Sequence, residues 1–301
     1  MDKALLEGVW TALLTPFDVN GEIDFQAVGK LVDYVIDSGV SGLVVSGTTG
    51  EFCECSGEER AALAQLVSQV NVGRVPLIVG VTGGSYGETL QNIAEAERAG
   101  ADALLVLPPI YWKLNEPGLF SYFKSLADAT RLPILLYNYP QLVGSPLPVS
   151  LVRLIARDIP SVIGIKMSVR DIDKITEVIT NARRERPDFA VFTGFEDLLP
   201  ATIWAGGNGC ISGLSNIWAG DVVECYRALR SDSINVGMVF ERIVRYCGAY
   251  GLTSPSILGL KAVGQLLGRP IGVTARVFSD VDSRGAIELA SAWIAAELSN
   301  K

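Results

Sequence analysis

Histidine is absent from all 301 positions of the chain. Its absence removes Ser–His and Cys–His nucleophile pairs and every imidazole-ligated zinc or non-haem iron site. Proton transfer then falls to Lys, Tyr, Asp and Glu or to hydroxyl and water relays. Cysteine is scarce: Cys53, Cys55, Cys210, Cys225 and Cys247 are odd in number and show no C-x-x-C spacing, which suits reduced thiols in the core better than a disulfide framework. No apolar run reaches the roughly 18 residues of a membrane span. The opening MDKALLEGVW lacks a basic segment followed by an apolar one, so no membrane partner and a cytoplasmic location are expected. No block of Lys and Arg interrupts a net charge of −8, which argues against binding to a nucleic-acid backbone. An anionic substrate would have to be caught locally.

What is present is apolar and periodic. Hydrophobic residues make up 49% of the chain and charged residues 19%, enough for a large core. Short runs rich in Val, Ile and Leu recur as GVWTALLT (8–15), GLVVSG (42–47), PLIVGV (76–81), ADALLVLP (101–108), PILLYNY (133–139), VIGIKMS (162–168), FAVFTG (189–194) and GCISGLS (209–215). Between them lie segments with helical spacing, such as DFQAVGKLVDYVIDSG and DIDKITEVITNARRE, so the order is β-α repeated. DSGVSGLVVSG, RAGADALLVLP and WAGGNGCISG each end a helix at Gly and enter a strand within a few residues, one αβ turn used three times.

This pattern predicts a (β/α)₈ TIM barrel over residues 1–230, carrying the active site, and a C-terminal helical extension over 231–301. A doubly wound sheet is the rival. TGGSYG (82–87) and GGNGCISG (206–213) do not match its G-x-G-x-x-G fingerprint.

Function in such a barrel collects at the C-terminal ends of the strands. That rule selects Thr48, Thr49 and Glu51 after the second run, Tyr111 after the fourth, Tyr137 and Asn138 at the end of the fifth, and Lys166 in the sixth. Lys166 stands among Val162, Ile163, Ile165 and Met167, whereas Lys3, Lys30, Lys113, Lys124, Lys174, Lys261 and Lys301 have ordinary polar or helical contexts. Desolvation disfavours a buried ammonium and lowers its pKa toward neutrality, where the free amine is the nucleophile of Schiff-base chemistry. Pairing with an inward carboxylate or snorkelling to the rim would explain the same lysine. GTTGE (47–51) reads either as a loop whose hydroxyls and backbone N–H groups hold a carboxylate or phosphate, or as an ordinary βα turn. Tyr137 could carry protons or simply pack.

Taken together, GVWTALLTPF with GEID, GLVVSGTTGE, the following EER, PPIYW, LYNYP, GIK and FTGFED resemble the pyruvate-dependent class I aldolase and lyase family. That family includes dihydrodipicolinate synthase, N-acetylneuraminate lyase and 2-keto-3-deoxygluconate aldolase. The resemblance implies that Lys166 forms an imine with pyruvate or another 2-keto acid and that Tyr137 shuttles protons. It implies that Thr48 and Thr49 hold the pyruvoyl carboxylate and that Gly194 and Ile211 line the keto-acid pocket. Tyr111 would reach a neighbouring subunit's site within a homotetramer built as a dimer of dimers. A lysine imine supplies the electron sink, so no cofactor and no metal are expected.

One position departs from the pattern. In synthases of this family the turn after the tyrosine contains an arginine that grips the carboxylate of aspartate semialdehyde, and in YNYPQLVG Leu142 stands in its place. A second carboxylate there would lose about 1.5–3 kcal/mol of charge-assisted hydrogen bonding. The expectation is therefore a lyase acting on 2-keto-3-deoxy sugar acids, giving pyruvate and a hydroxyaldehyde. A dihydrodipicolinate synthase, a sugar-acid dehydratase and a non-catalytic keto-acid sensor are the alternatives.

Overall fold

All eight apolar runs become parallel strands: β1 (Gly8–Ala12), β2 (Gly42–Val45), β3 (Leu77–Gly80), β4 (Ala103–Val106), β5 (Ile134–Asn138), β6 (Val162–Met167), β7 (Ala190–Thr193) and β8 (Gly209–Ser212). Each pairs with the next, and β1 pairs with β8, so the sheet closes on itself and the doubly wound alternative falls away. The structure, a computed structural model, describes residues 6–231, 233–271, 276 and 280–298. Lys3 and Lys301 lie outside these residues.

The strands are buried on both faces, which explains why they read as continuous apolar runs. Side chains alternate between two cores. Val9, Leu43, Val45, Leu77, Val79, Leu104 and Leu136 pack outward against the helices. Trp10, Val44, Ile78, Leu105, Leu135, Phe192 and Ile211 fill the barrel interior. Each fully buried Leu, Ile or Phe contributes about 1.5–3 kcal/mol through removal from water.

The three predicted αβ turns share one geometry. Gly39, Gly100 and Gly206 follow helix ends with φ of 88°, 77° and 95°, a left-handed conformation in which only glycine is unstrained. Their N–H groups donate to Ile36, Glu97 and Ile203 carbonyls at 2.8, 3.1 and 2.9 Å, closing each helix before the next strand.

Strand β6 breaks the alternation. Ile134 lies opposite Val162, but Leu135 lies opposite Gly164, so Ile163 is the extra residue of a β-bulge. Val162, Ile165 and Met167 belong to the outer core while Ile163 belongs to the inner one. Strict period-two alternation from Val162 would send residue 166 outward with 162 and 164. The bulge reverses the parity and points Lys166 into the barrel.

Beyond the barrel strands, helices at Ser215–Arg230, Val236–Tyr246, Ser256–Leu266 and Asp280–Glu297 complete the described chain. The Ser256–Leu266 helix is buried continuously from Leu258 to Gly264, so it is covered on every side.

Candidate active site

Lys166 is buried at 4% exposure, which excludes snorkelling to solvent, and it forms no ion pair among the described residues. Its neighbour across the β5–β6 ladder is Tyr137, also inward-facing. The Lys166 ammonium nitrogen lies 4.5 Å from the centroid of the Tyr137 ring. The Tyr137 hydroxyl is 3.2 Å from the Thr48 hydroxyl, so amine, phenol and threonine follow one another around the barrel mouth.

The GTTGE segment does form a tight turn, with Gly50 and Glu51 N–H groups donating to the Gly47 and Thr48 carbonyls at 3.0 and 3.0 Å. The Thr48 hydroxyl points to Tyr137, not to a helix end. The N–H groups of Thr48 and Thr49 have no backbone partner among the described residues. They and the two hydroxyls are the donors a carboxylate needs. Ser46 and Glu51, at either end of the turn, adopt φ of 56° and 55°, and Gly80 of the adjoining strand touches the Ser46 carbonyl so closely that a Cβ would sit 2.2 Å from it. The turn is held under strain against a glycine that leaves it room.

A cavity of about 470 Å³ opens over these groups. Thr48, Thr49, Tyr137, Lys166, Gly194 and Ile211 all line it, so six of the nine residues named from the sequence share one space. Gly194 is needed there, because a Cβ would meet the Ser168 hydroxyl at 2.1 Å and the Lys166 side chain at 3.2 Å. Leu142 lines the same cavity, where the absence of a cation at that position is felt directly. Glu51 and Asn138 do not line it, the latter accepting from the Leu147 N–H at 3.1 Å, and neither does Tyr111. It is 79% exposed and borders a separate hollow with Trp112, Tyr86 and Tyr122, outside the cavity of its own chain.

Other lining groups were invisible to sequence reasoning. Ser168 and Arg170 come from the loop that follows β6, and Tyr250, Ser254, Pro255 and Ile257 come from beyond residue 231. The Tyr250 hydroxyl donates to Glu196 at 3.1 Å, and Glu196 also accepts from Ser212 at 2.6 Å and from the Leu214 N–H at 3.1 Å. Burial, with the negative charge of Glu196 beside it, holds the Tyr250 hydroxyl far above its usual pKa, so it stays a donor.

Lys261 corrects an expectation. Its context looked ordinary, yet it is fully buried, because the helix carrying it is apolar on all sides and sinks over the barrel. It pairs with Glu51 of the GTTGE turn, donates to the Thr15 carbonyl at 2.7 Å and lies 4.5 Å from the centroid of the Phe17 ring. Burial lowers the pKa of Lys261 and raises that of Glu51, each opposed by the other's charge. Glu51, selected from the sequence for its place after β2, thus anchors the turn from behind and does not line the cavity.

Comparison with known proteins bears on the family. The model of the dihydrodipicolinate synthetase family matches residues 5–282. A provisional 2-dehydro-3-deoxy-D-gluconate aldolase of Escherichia coli K12, YagE, is 33% identical over 89% of this chain and 89% of its own. The crystal structure of YagE in complex with pyruvate superposes with a TM-score of 0.91 at 30% identity, covering 97% of this chain and 98% of that one. The 4-hydroxy-tetrahydrodipicolinate synthase of Bacillus subtilis strain 168 is 34% identical over 88% of this chain and 90% of its own. A provisional 2-dehydro-3-deoxy-D-pentonate aldolase of E. coli K12, YjhH, is 31% identical over 88% of each chain. By its sequence, its closed barrel and the residues gathered at the barrel mouth, the chain belongs to the dihydrodipicolinate synthetase family.

Proposed function

We propose that the protein is a Schiff-base lyase that reversibly cleaves a 2-keto-3-deoxy sugar acid to pyruvate and a hydroxyaldehyde. The observation that carries this reading is the uncompensated, inward-facing Lys166 over the Tyr137 ring, with the Thr48 hydroxyl within reach of the phenol. Lys166 attacks the 2-keto carbon and, after loss of water, forms an iminium. Thr48 and Thr49 hold the carboxylate beside it. Tyr137 removes the proton of the 4-hydroxyl, the C3–C4 bond breaks, and its electrons pass to the iminium to give an enamine. The aldehyde departs, the enamine takes a proton at C3, and hydrolysis releases pyruvate and regenerates the lysine. Gly194 and Ile211 shape the pocket around the keto acid.

Residues 1–230 serve as the catalytic barrel and 231–301 as a helical extension that adds a wall to its cavity. The enzyme works in the cytoplasm as a dimer of dimers, with Tyr111 entering the neighbouring subunit's site. The exposed Tyr111 and Trp112, T-shaped at 5.1 Å between ring centroids, support that role. Relatives named as 4-hydroxy-tetrahydrodipicolinate synthases favour a second reading, condensation of pyruvate with aspartate semialdehyde. Leu142 at the cavity wall weighs against it.

Incubation with pyruvate and borohydride should add a reduced pyruvoyl mass to the peptide containing Lys166. An unmodified peptide under conditions that trap YagE would overturn the imine. Pyruvate release from a panel of 2-keto-3-deoxy sugar acids, lost in Lys166→Ala, separates the lyase from a keto-acid sensor. A fully active monomer in solution scattering would remove the role of Tyr111.

A further inference from the structure

The inner wall of the cavity accounts for a keto acid but leaves one cation without a task. Lys166, Ser168 and Arg170 all line the same cavity. Arg170, three residues past the end of β6 with 51% of its side chain exposed, stands nearer the mouth of that cavity than Lys166, which is buried at 4% exposure. A substrate bonded to Lys166 through its second carbon therefore extends its far end toward Arg170.

Arg170 is held for use. Its guanidinium lies 4.4 Å from the centroid of the Phe195 ring, and its Nη1 donates to Asp197 at 2.6 Å. Phe195 is itself braced edge-on by Tyr139 at 6.5 Å between ring centroids. Stacking on an aromatic face fixes the plane of the guanidinium, and that bond to Asp197 engages one of five N–H donors. The ion pair explains little by itself: with side chains 51% and 26% exposed, it is screened by water and adds little to stability.

Charge points the same way. Among the described residues no Asp or Glu lines the cavity, although the chain as a whole carries a net charge of −8, and the lining cations are Lys166 and Arg170. Once the iminium forms, its positive charge is offset by the substrate carboxylate held at Thr48 and Thr49. Arg170 is then left facing the other half of the substrate, while Leu142 on the same lining contributes no charge.

Resting on the lyase reading above, we infer that Arg170 is a specificity-determining residue that receives a terminal anionic group, carboxylate or phosphate, on the aldehyde half of the substrate.

The test is condensation of pyruvate with three aldehydes of matched chain length: D-glyceraldehyde, which is neutral, tartronate semialdehyde, which ends in a carboxylate, and D-glyceraldehyde 3-phosphate. The wild-type enzyme should favour at least one anionic aldehyde over the neutral one in kcat/KM, and the two anionic arms show whether it is carboxylate or phosphate that is read. Arg170→Met should lower kcat/KM for the favoured anion on the order of 10- to 100-fold, the range of a charge-assisted bidentate contact. It should leave D-glyceraldehyde within about twofold, and Arg170→Lys should restore part of the loss. Equal kcat/KM for neutral and anionic aldehydes in the wild type, or an equal fall for all three in Arg170→Met, overturns the assignment. Borohydride trapping of pyruvate on Lys166 separates the two layers: with trapping intact, flat selectivity ends the role of Arg170 alone, whereas failure of trapping ends both.

Discussion

Among the described residues two lysines are buried, and they are buried for opposite ends. Lys261 is enclosed completely, and Glu51, the Thr15 carbonyl and the face of Phe17 compensate its charge. Lys166 is almost as enclosed, yet it faces an aromatic ring and an open cavity with no carboxylate among the described residues of its lining. A buried charge removed from one partner leaves the other stranded, while a lone amine beside a cavity is free to react. The contrast separates an anchor from a nucleophile more cleanly than burial does. It also shows how they cooperate, since Lys261 holds, through Glu51, the turn that presents Thr48 and Thr49 to Lys166.

The sharpest way to break the comparison is to replace each lysine by methionine, which keeps the length of the stem and removes the charge. Lys166→Met should abolish pyruvate release while leaving the thermal midpoint within a few degrees of the wild type. A variant that keeps turnover would deny Lys166 its role. Tyr137→Phe preserves the ring under the ammonium and removes the hydroxyl 3.2 Å from Thr48. The loss of a positioned acid–base should cost 10²–10⁴-fold in kcat, about the range of such groups, with imine trapping retained. Lys261→Met should instead lower stability by about 3–5 kcal/mol, because Glu51 stays behind as an unpaired buried carboxyl. Glu51→Leu in the same chain should recover most of that loss in denaturant melts, and additive losses would mean that the two residues are not a pair.

How far these two roles were legible in the sequence follows from their physics. Eight apolar runs and three helix-ending glycines carry the barrel, because strand burial on both faces and the left-handed turn each demand particular residue types in particular places. Lys166, Tyr137, Thr48 and Thr49 stood out because polar groups at strand ends are costly there without a use. The direction of Lys166 was not legible. It depends on the bulge at Ile163, and a one-residue offset in pairing leaves no mark in a run where every neighbour is apolar. Lys261 was missed for a related reason: its partner lies 210 positions away in Glu51, and a lysine in a helix looks solvated until the packing of that helix is known. Arg170 and Tyr250 share the limitation, since the cavity wall they form is assembled from segments far apart in the chain.

A third cation nearby sharpens the same contrast at its weak end. Arg276 lies 4.7 Å from the centroid of the Phe17 ring that Lys261 also meets, and it donates to both oxygens of Glu59 at 2.9 and 2.7 Å, but the two side chains remain 23% and 27% exposed. Its hydrogen bonds hold the Glu59 carboxyl down to about 2, from an ordinary value of 4.5. Because the folded-state value is depressed, the stabilisation is fully present above about pH 4.5 and fades as pH falls toward 2. Water screens such a pair, so the effect should stay within about 1 kcal/mol. Thermal melts of the wild type and Glu59→Gln should therefore differ by a few degrees at pH 7 and converge as the buffer approaches pH 2. A gap that widens on acidification would reverse the sign and place the stabilising contact elsewhere. A gap at pH 7 as large as that of Lys261→Met would show that enclosure is not what distinguishes the anchor, since a cation partly open to water would then hold the fold as firmly as one sealed from it.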